Sequence, residues 1–302
     1  MDNSTAHRKS RVLKIALPII SAILLASLAL NAYFLFFRKE QESEVLATDA
    51  YTMETGILDR AANMYDGDDF AFTYDFNSAD YAVLREKYDI EKIAGEGTEF
   101  ERAARLMDEF APRLRHYSMY DNHIEMRALP LLEYSLDKDS HGINCRAKAQ
   151  ILNEMCLALG IYSRKLWINP YSRYDDECHV VNEVWDSSLG KWVMLDITNN
   201  EYWVDETGSP LSVLEIRERL AAQELCSPAA PGESVSDVKR LSEKHMGDII
   251  YIAKNMMWFY YCQSYGSFED DNKALLMPEI WGVGTSGLYV TNPASVNAAP
   301  TE

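Results

Sequence analysis

Gly142-Ile143-Asn144-Cys145-Arg146-Ala147-Lys148-Ala149-Gln150-Ile151-Leu152-Asn153-Glu154-Met155-Cys156-Leu157-Ala158-Leu159-Gly160 reads by its period as a short helix with a thiol in the first turn. Ala149, Leu152, Met155, Cys156 and Leu159 recur at three and four and make one apolar stripe. Gly160 stands where a helix ends, and Gly142 and Asn144 break the chain just before the start. A thiol placed there faces unpaired backbone N–H groups and the positive end of the helix dipole. Both favour the thiolate, which is the nucleophilic form. Free cysteines are more often small buried apolar residues than nucleophiles, so the neighbouring segments decide which this one is.

After Gly160 the pattern changes from period 3.6 to period 2. Residues 162–168 read as a strand, 169–172 as a turn and 174–177 as an acidic loop. His179-Val180-Val181-Asn182-Glu183-Val184-Trp185, a turn at 186–190, and Lys191-Trp192-Val193-Met194-Leu195-Asp196 make a strong hairpin signal. If Asp186 pairs with Lys191, Val181 lies opposite Asp196, and Asp196 shares a face with His179 as its diagonal neighbour. A register two residues tighter puts them directly opposite, and a one-residue slip separates them. A helix-borne Cys145 followed by strand-borne His179 and Asp196 is an arrangement for nucleophilic catalysis. The imidazole takes the thiol proton, the carboxylate fixes its tautomer, and the thiolate attacks a carbonyl.

These stretches, with Leu159-Gly160-Ile161-Tyr162-Ser163-Arg164 and Gly190-Lys191-Trp192-Val193-Met194-Leu195-Asp196, closely resemble the transglutaminase-like superfamily. That family's core has a Cys at a helix N-terminus, a GI-x-(A/S)-R strand entry, an H-x-W-x-E-V strand and G-x-W-x-x-L-D-P-T. The resemblance is close over residues 140–200 and loose over 100–225. It implies a papain-like α+β fold, in which the helix bearing the cysteine packs on an antiparallel sheet with flanking helices. It also implies that Cys145, His179 and Asp196 match the family's catalytic triad. Two positions depart from the pattern: Val181 stands where the family has Trp, and Ile197 follows Asp196 where the family has Pro. An oxyanion donor is not selected by spacing among Tyr120, His123 and Tyr134. Cys178 is expected to point to the opposite strand face from His179, into the core. Cys145, Cys178 and His179 are ligand types, but adjacent strand residues do not converge on one ion. No metal and no cofactor is expected.

Composition narrows the rest. The 302 residues are 47% hydrophobic and 25% charged, which is globular composition. Residues 1–39 hold six of the 29 Lys/Arg and one of the 47 Asp/Glu, leaving 23 basic and 46 acidic side chains, a net −23, for residues 40–302. So acidic a body repels nucleic acid, and a DNA- or RNA-binding role is excluded. Five cysteines without a repeated spacing are neither a disulfide scaffold nor a zinc site, although a Cys226–Cys262 bridge is left open.

From Ile15 to Phe37 no residue is charged. As a helix this run spans about 34 Å, enough for a bilayer core of about 30 Å. A cleaved signal peptide is the rival, but its apolar region is usually only about 7–15 residues. The basic excess lies before the run, so the N-terminus is expected in the cytoplasm and the body outside it. The expected organisation is a cytoplasmic tail (1–14), a transmembrane signal-anchor (15–37), a polar tether (38–50), an extracytoplasmic domain (51–290) and a disordered tail (291–302). Helices are expected at 50–63, 78–87, 99–110, 130–138, 212–222 and 238–261. The expected function is thiol-dependent amide hydrolysis or acyl transfer on a peptide or protein. The alternative is a catalytically idle module of the same fold that binds a peptide or cell-surface partner.

Overall fold

The computed structural model describes residues 3–172, 174–280 and 289–301, and leaves undescribed the side chains of residues 3–16 and 34–46. It divides into two units, Met1–Ala50 and Tyr51–Glu302. Helix α1 (Asn3–Arg60) contains the described residues of the first unit and the first ten residues of the second. In the first unit every described side chain of the apolar run, 17–33, is exposed. The remainder of the expected span, at 15–16 and 34–37, lies outside the described side chains. Among the described residues no helix is long and apolar enough to cross a membrane. The stretch 38–50, expected as a tether, is helical backbone. It contains no Gly or Pro, and nine of its 13 residues are Arg, Lys, Glu, Gln, Leu or Ala, all good helix formers.

The second unit is α+β. Its sheet contains β1 (Ser163–Asn169), β2 (His179–Asp186), β3 (Lys191–Asp196), β4 (Glu201–Asp205), β5 (Cys226–Ala229), β6 (Trp258–Cys262), β7 (Lys273–Leu276) and β8 (Tyr289–Val290). The spatial order is β8-β7-β6-β1-β2-β3-β4-β5, antiparallel except for the outermost β8–β7 pair. Asp186 pairs with Lys191 and Asn182 with Leu195, the first of the registers considered. Arg164 lies across from Glu183 on neighbouring strands, and both are buried. The guanidinium donates to Glu183 Oε2 at 2.6 and 2.9 Å and to the Val296 carbonyl at 2.8 Å, and it stacks 3.9 Å from the Trp192 ring.

Besides α1 and the short helix Ile90–Ala94, the helices that precede the sheet include α2 (Ala79–Tyr88), α3 (Glu99–Phe110), α4 (Ala128–Asp137) and α5 (Cys145–Ala158). Helix α3 starts in a complete Thr98/Glu101 capping box. Helix α5 is enclosed by α2, α3 and α4 on one side and by β1 and β2 on the other. For that reason its polar residues Lys148, Gln150, Asn153 and Glu154 are as buried as its apolar stripe. The stripe alone suggests a helix with one wet face, and the second helical layer removes that face. Asn182 Nδ2 donates to the Ala149 carbonyl at 2.9 Å and ties α5 to β2.

Beyond the hairpin, α6 (Val213–Ala222) begins at the Ser212/Glu215 capping box that the sequence predicts. The long helix expected over 238–261 is instead Val238–Lys244, α7 (Met246–Asn255) and strand β6. The run Trp258-Phe259-Tyr260-Tyr261-Cys262 is a bulky aromatic segment of the kind that fits a pleated sheet, and it pairs with β1 and β7. The tail expected to be disordered is packed. Asn292 caps Pro293–Asn297, Val296 is buried, and the Ala298 carbonyl accepts from Trp192 Nε1 at 3.0 Å. Ser295 Oγ also accepts from the Phe70 N–H and Asn292 Nδ2 donates to the Gly67 carbonyl, and composition does not register such contacts.

Candidate active site

Cys145 is the first residue of α5. Asn144, in extended backbone before it, accepts from the Ala147 N–H at 3.1 Å and so caps the helix. The approach to this start is fixed by a two-bond clasp. Ile143 N donates to the Arg115 carbonyl and Tyr117 N donates to the Ile143 carbonyl. A Cβ on Gly142 would stand 2.6 Å from Tyr117 Cβ, so the clasp closes only over a glycine. The thiol is thereby held half-buried, at a helix end whose first N–H groups have no intrahelical acceptor.

His179 opens β2 and Asp196 closes β3, so the hairpin brings both to the same end of the sheet. His179 Nε2 lies 2.6 Å from Asp196 Oδ2, and both side chains are buried. Asp196 Oδ1 accepts from the Thr198 N–H at 2.8 Å and the Asn199 N–H at 3.3 Å, while Asn199 Nδ2 donates to Oδ2 at 3.1 Å. The carboxylate is therefore fixed on three sides before it meets the imidazole. Burial raises the Asp196 carboxyl, but the His179 charge and these donors outweigh it and hold the group below its ordinary value. Burial likewise pulls His179 down. The Asp196 charge and hydrogen bond reverse this, with a smaller push from the neighbouring Cys145 side chain, and the imidazole rises to about 10. The arrangement favours imidazolium.

Cys145 and His179 line one cleft of about 750 Å³ together with His116, Met119, Trp167 and Tyr251. The Tyr251 ring, from α7, stands edge-on to His179 with centroids 5.8 Å apart. Arg146 lines the cleft beside Cys145 and is bonded to Glu269. The opposite lip carries Asp175, Asp176 and Glu177, of which Asp175 and Glu177 are ion-paired to Lys254 at 2.9 and 2.5 Å. Directly across β3–β4 from Asp196 stands Glu201, a second buried carboxyl. Burial, then the Asp196 charge, raises it to about 8.

Some residues lie elsewhere than expected. Cys178 is exposed and lines the cleft instead of entering the core, because it precedes the first paired residue of β2 and strand alternation does not reach it. Cys156, Cys226 and Cys262 are buried free thiols, so Cys226 and Cys262 form no bridge. Burial pushes Cys156 and Cys226 up to about 12. Tyr120, His123 and Tyr134 pack on one another away from the cleft, where the Tyr120 hydroxyl accepts from the Ile124 N–H. It is His116 from the same loop that reaches the cleft, because its backbone lies beside Ile143. No spacing in the sequence marks His116 or Tyr251. Among the described residues no three His, Cys, Asp or Glu side chains converge as a metal site.

Residues 87–197 match the family model described as the Transglutaminase-like superfamily. No curated protein matches the chain. A solved structure, "Putative Cysteine Protease from Cytophaga hutchinsonii", aligns at 16% identity and a TM-score of 0.31. The alignment covers 50% of this chain and 47% of that one, so the chain spans about half the length of the structure it matches. A likeness of that size bears on neither fold nor chemistry. The family match covers the helix that starts at Cys145 and the whole hairpin to Asp196, so it is residues 87–197 that are similar to the transglutaminase-like superfamily.

Proposed function

We propose that this chain is a membrane-anchored, extracytoplasmic thiol-dependent amide hydrolase or acyl transferase acting on peptides or proteins, with Cys145, His179 and Asp196 as its catalytic triad. The observation that carries this reading is the buried 2.6 Å contact between His179 and Asp196 beside a half-buried thiol at a helix start, opening on a cleft. With Nε2 committed to Asp196, Nδ1 is the ring nitrogen left for Cys145. His179 takes the thiol proton and the sulfur attacks the amide carbonyl carbon. The resulting oxyanion finds the Cys145 backbone N–H and the positive end of α5. Collapse of this intermediate breaks the C–N bond, the imidazolium gives its proton to the leaving amine, and a thioester remains on Cys145. Water or an amine then attacks with His179 as base, and the thiol is regenerated. Met119, Trp167 and Tyr251 give the cleft apolar walls, which suit the side chains flanking an amide.

The anchor is read from residues 15–37. They carry no charge, and those described at 17–33 expose Leu17, Ile19, Ile20, Ile23, Leu24 and Leu25 to the surroundings. Arg8, Lys9, Arg11 and Lys14 before the run place the N-terminus in the cytoplasm and the domain 51–290 outside.

A test independent of the unknown substrate uses 4-nitrophenyl acetate, an activated acyl donor. The reading expects a burst of one nitrophenolate per chain and an acetyl group on Cys145 by peptide mass spectrometry. The burst is lost in Cys145→Ala and slowed in His179→Ala. Absence of both burst and adduct in the wild-type chain overturns the reading in favour of an idle binding module.

A further inference from the structure

Lys148 lies one helical turn beyond Cys145, and positions three apart on a helix share a face, with Cβ atoms about 5–6 Å from each other. Its side chain is only 2% exposed. Other buried cations of the domain are bonded: Arg164 to Glu183, Lys165 to Glu269, and Arg217 to the Met256 and Ala61 carbonyls. Among the described residues the Lys148 ammonium has no hydrogen bond and no ion pair. The ammonium nitrogen is not among the fully buried atoms left without a partner, so it keeps slight contact with solvent. A charge so largely desolvated and unbonded still depends on nearby charge to compensate it. The charged groups that face it are Cys145 on its own helix and Asp196 at the end of β3. His116 from the preceding loop also stands near the ammonium, and His116 in turn is near His179.

Charge balance gives this placement a purpose. In the reactive form of the site proposed above, His179 is positive and Asp196 negative, and these two cancel. The thiolate is then a third charge without a counter-charge. A cation at position 148 supplies one, and the four charges sum to zero in a largely buried site. Burial pulls the Lys148 ammonium below its ordinary value, and Asp196 and Cys145 both oppose that pull.

We propose that Lys148 is a positioning residue of this site, a buried cation on the Cys145 face of α5 that holds negative charge on the Cys145 sulfur and extends thiolate reactivity to lower pH. The proposal rests on the triad reading. Its test is the rate of Cys145 alkylation by iodoacetamide between pH 5 and 9, resolved from the other four cysteines by peptide mass spectrometry. Lys148→Met and Lys148→Gln should each move the midpoint up by about one pH unit, a roughly tenfold loss of rate at pH 6. Lys148→Arg, which disturbs packing but keeps the charge, should restore most of that rate. If wild type and His179→Ala behave alike, the triad reading fails and this inference with it. If His179→Ala differs from wild type while both neutral variants match wild type, the triad stands and Lys148 is merely structural. Should neither neutral variant fold, as judged by circular dichroism, His179→Ala with Lys148 intact decides the matter. Its rate ratio for iodoacetate over iodoacetamide should exceed that of glutathione, because a cation beside the sulfur favours the anionic reagent. A ratio at or below that of glutathione overturns the proposal.

Discussion

Glu154→Gln should make the fold more stable at alkaline pH. Glu154 lies in the third turn of α5 and is completely buried. Its Oε1 accepts from the Ala128 N–H at 2.7 Å and from Gln150 Nε2 at 2.8 Å, so it pins the start of α4 to the helix that carries Cys145. Among the described residues its Oε2 has no partner. Burial, only partly offset by these two donors, raises the carboxyl from 4.5 to about 7. An acid whose folded value lies above its unfolded one binds more protons when folded between the two. Its contribution is therefore intact below pH 4.5, is lost as pH rises, and levels off above 7. At ~1.4 kcal/mol per pH unit, the step is about 3 kcal/mol. Glutamine keeps an acceptor for Ala128 and cannot ionise. Urea denaturation of both proteins at pH 4.5 and pH 8.5 measures the effect, and every other titration cancels in the difference between them. From the acid to the alkaline condition, the glutamine variant should gain about 3 kcal/mol relative to wild type. A difference that is the same at both pH values refutes the reasoning.

Three other outcomes follow from the same structure. Asn144→Ala removes the cap bond to Ala147 and should cost about 1 kcal/mol in thermal denaturation; no loss means that the bond does not hold the helix start. Glu183→Gln leaves Arg164 buried without its counter-charge and should cost about 3–5 kcal/mol, while Arg164→Met combined with Glu183→Gln should cost less than the sum of the single changes. Additive losses in that double-mutant cycle argue against a coupled pair. Protease added to intact spheroplasts should digest residues 51–290 and leave an N-terminal fragment, and complete protection contradicts the proposed orientation.

The helix that starts at Cys145 and the hairpin behind His179 and Asp196 were legible because their signals are local. A 3.6-residue stripe between two chain breaks marks α5, and a short turn flanked by alternating apolar residues marks β2 and β3. The register then follows from one pairing, Asp186 with Lys191. What depends on a third layer was not legible. Gln150 and Glu154 look like residues of a wet helix face until the helical layer, with Ala128 of α4 bonded to Glu154, covers them. Trp258–Cys262 looks like the end of an apolar helix until β1 and β7 offer it hydrogen-bonding partners on both sides. His116 and Tyr251 reach the cleft through a loop clasp and a helix more than 100 residues apart in sequence, and no period links them.

The most direct test of the central claim is the pH dependence of Cys145 alkylation in wild type, His179→Ala and Asp196→Ala. A thiolate–imidazolium pair titrates as a coupled unit, so wild-type Cys145 should stay fast below pH 7. His179→Ala should move the profile towards that of a free thiol. Asp196→Ala should shift it less and in the same direction, because it removes only the orienting and charge-balancing partner. Cys156 in the same digest is buried and pushed up to about 12, and serves as the internal example of an inert thiol. If wild type and His179→Ala alkylate Cys145 at the same rate with the same pH profile, there is no activated nucleophile at the start of this helix.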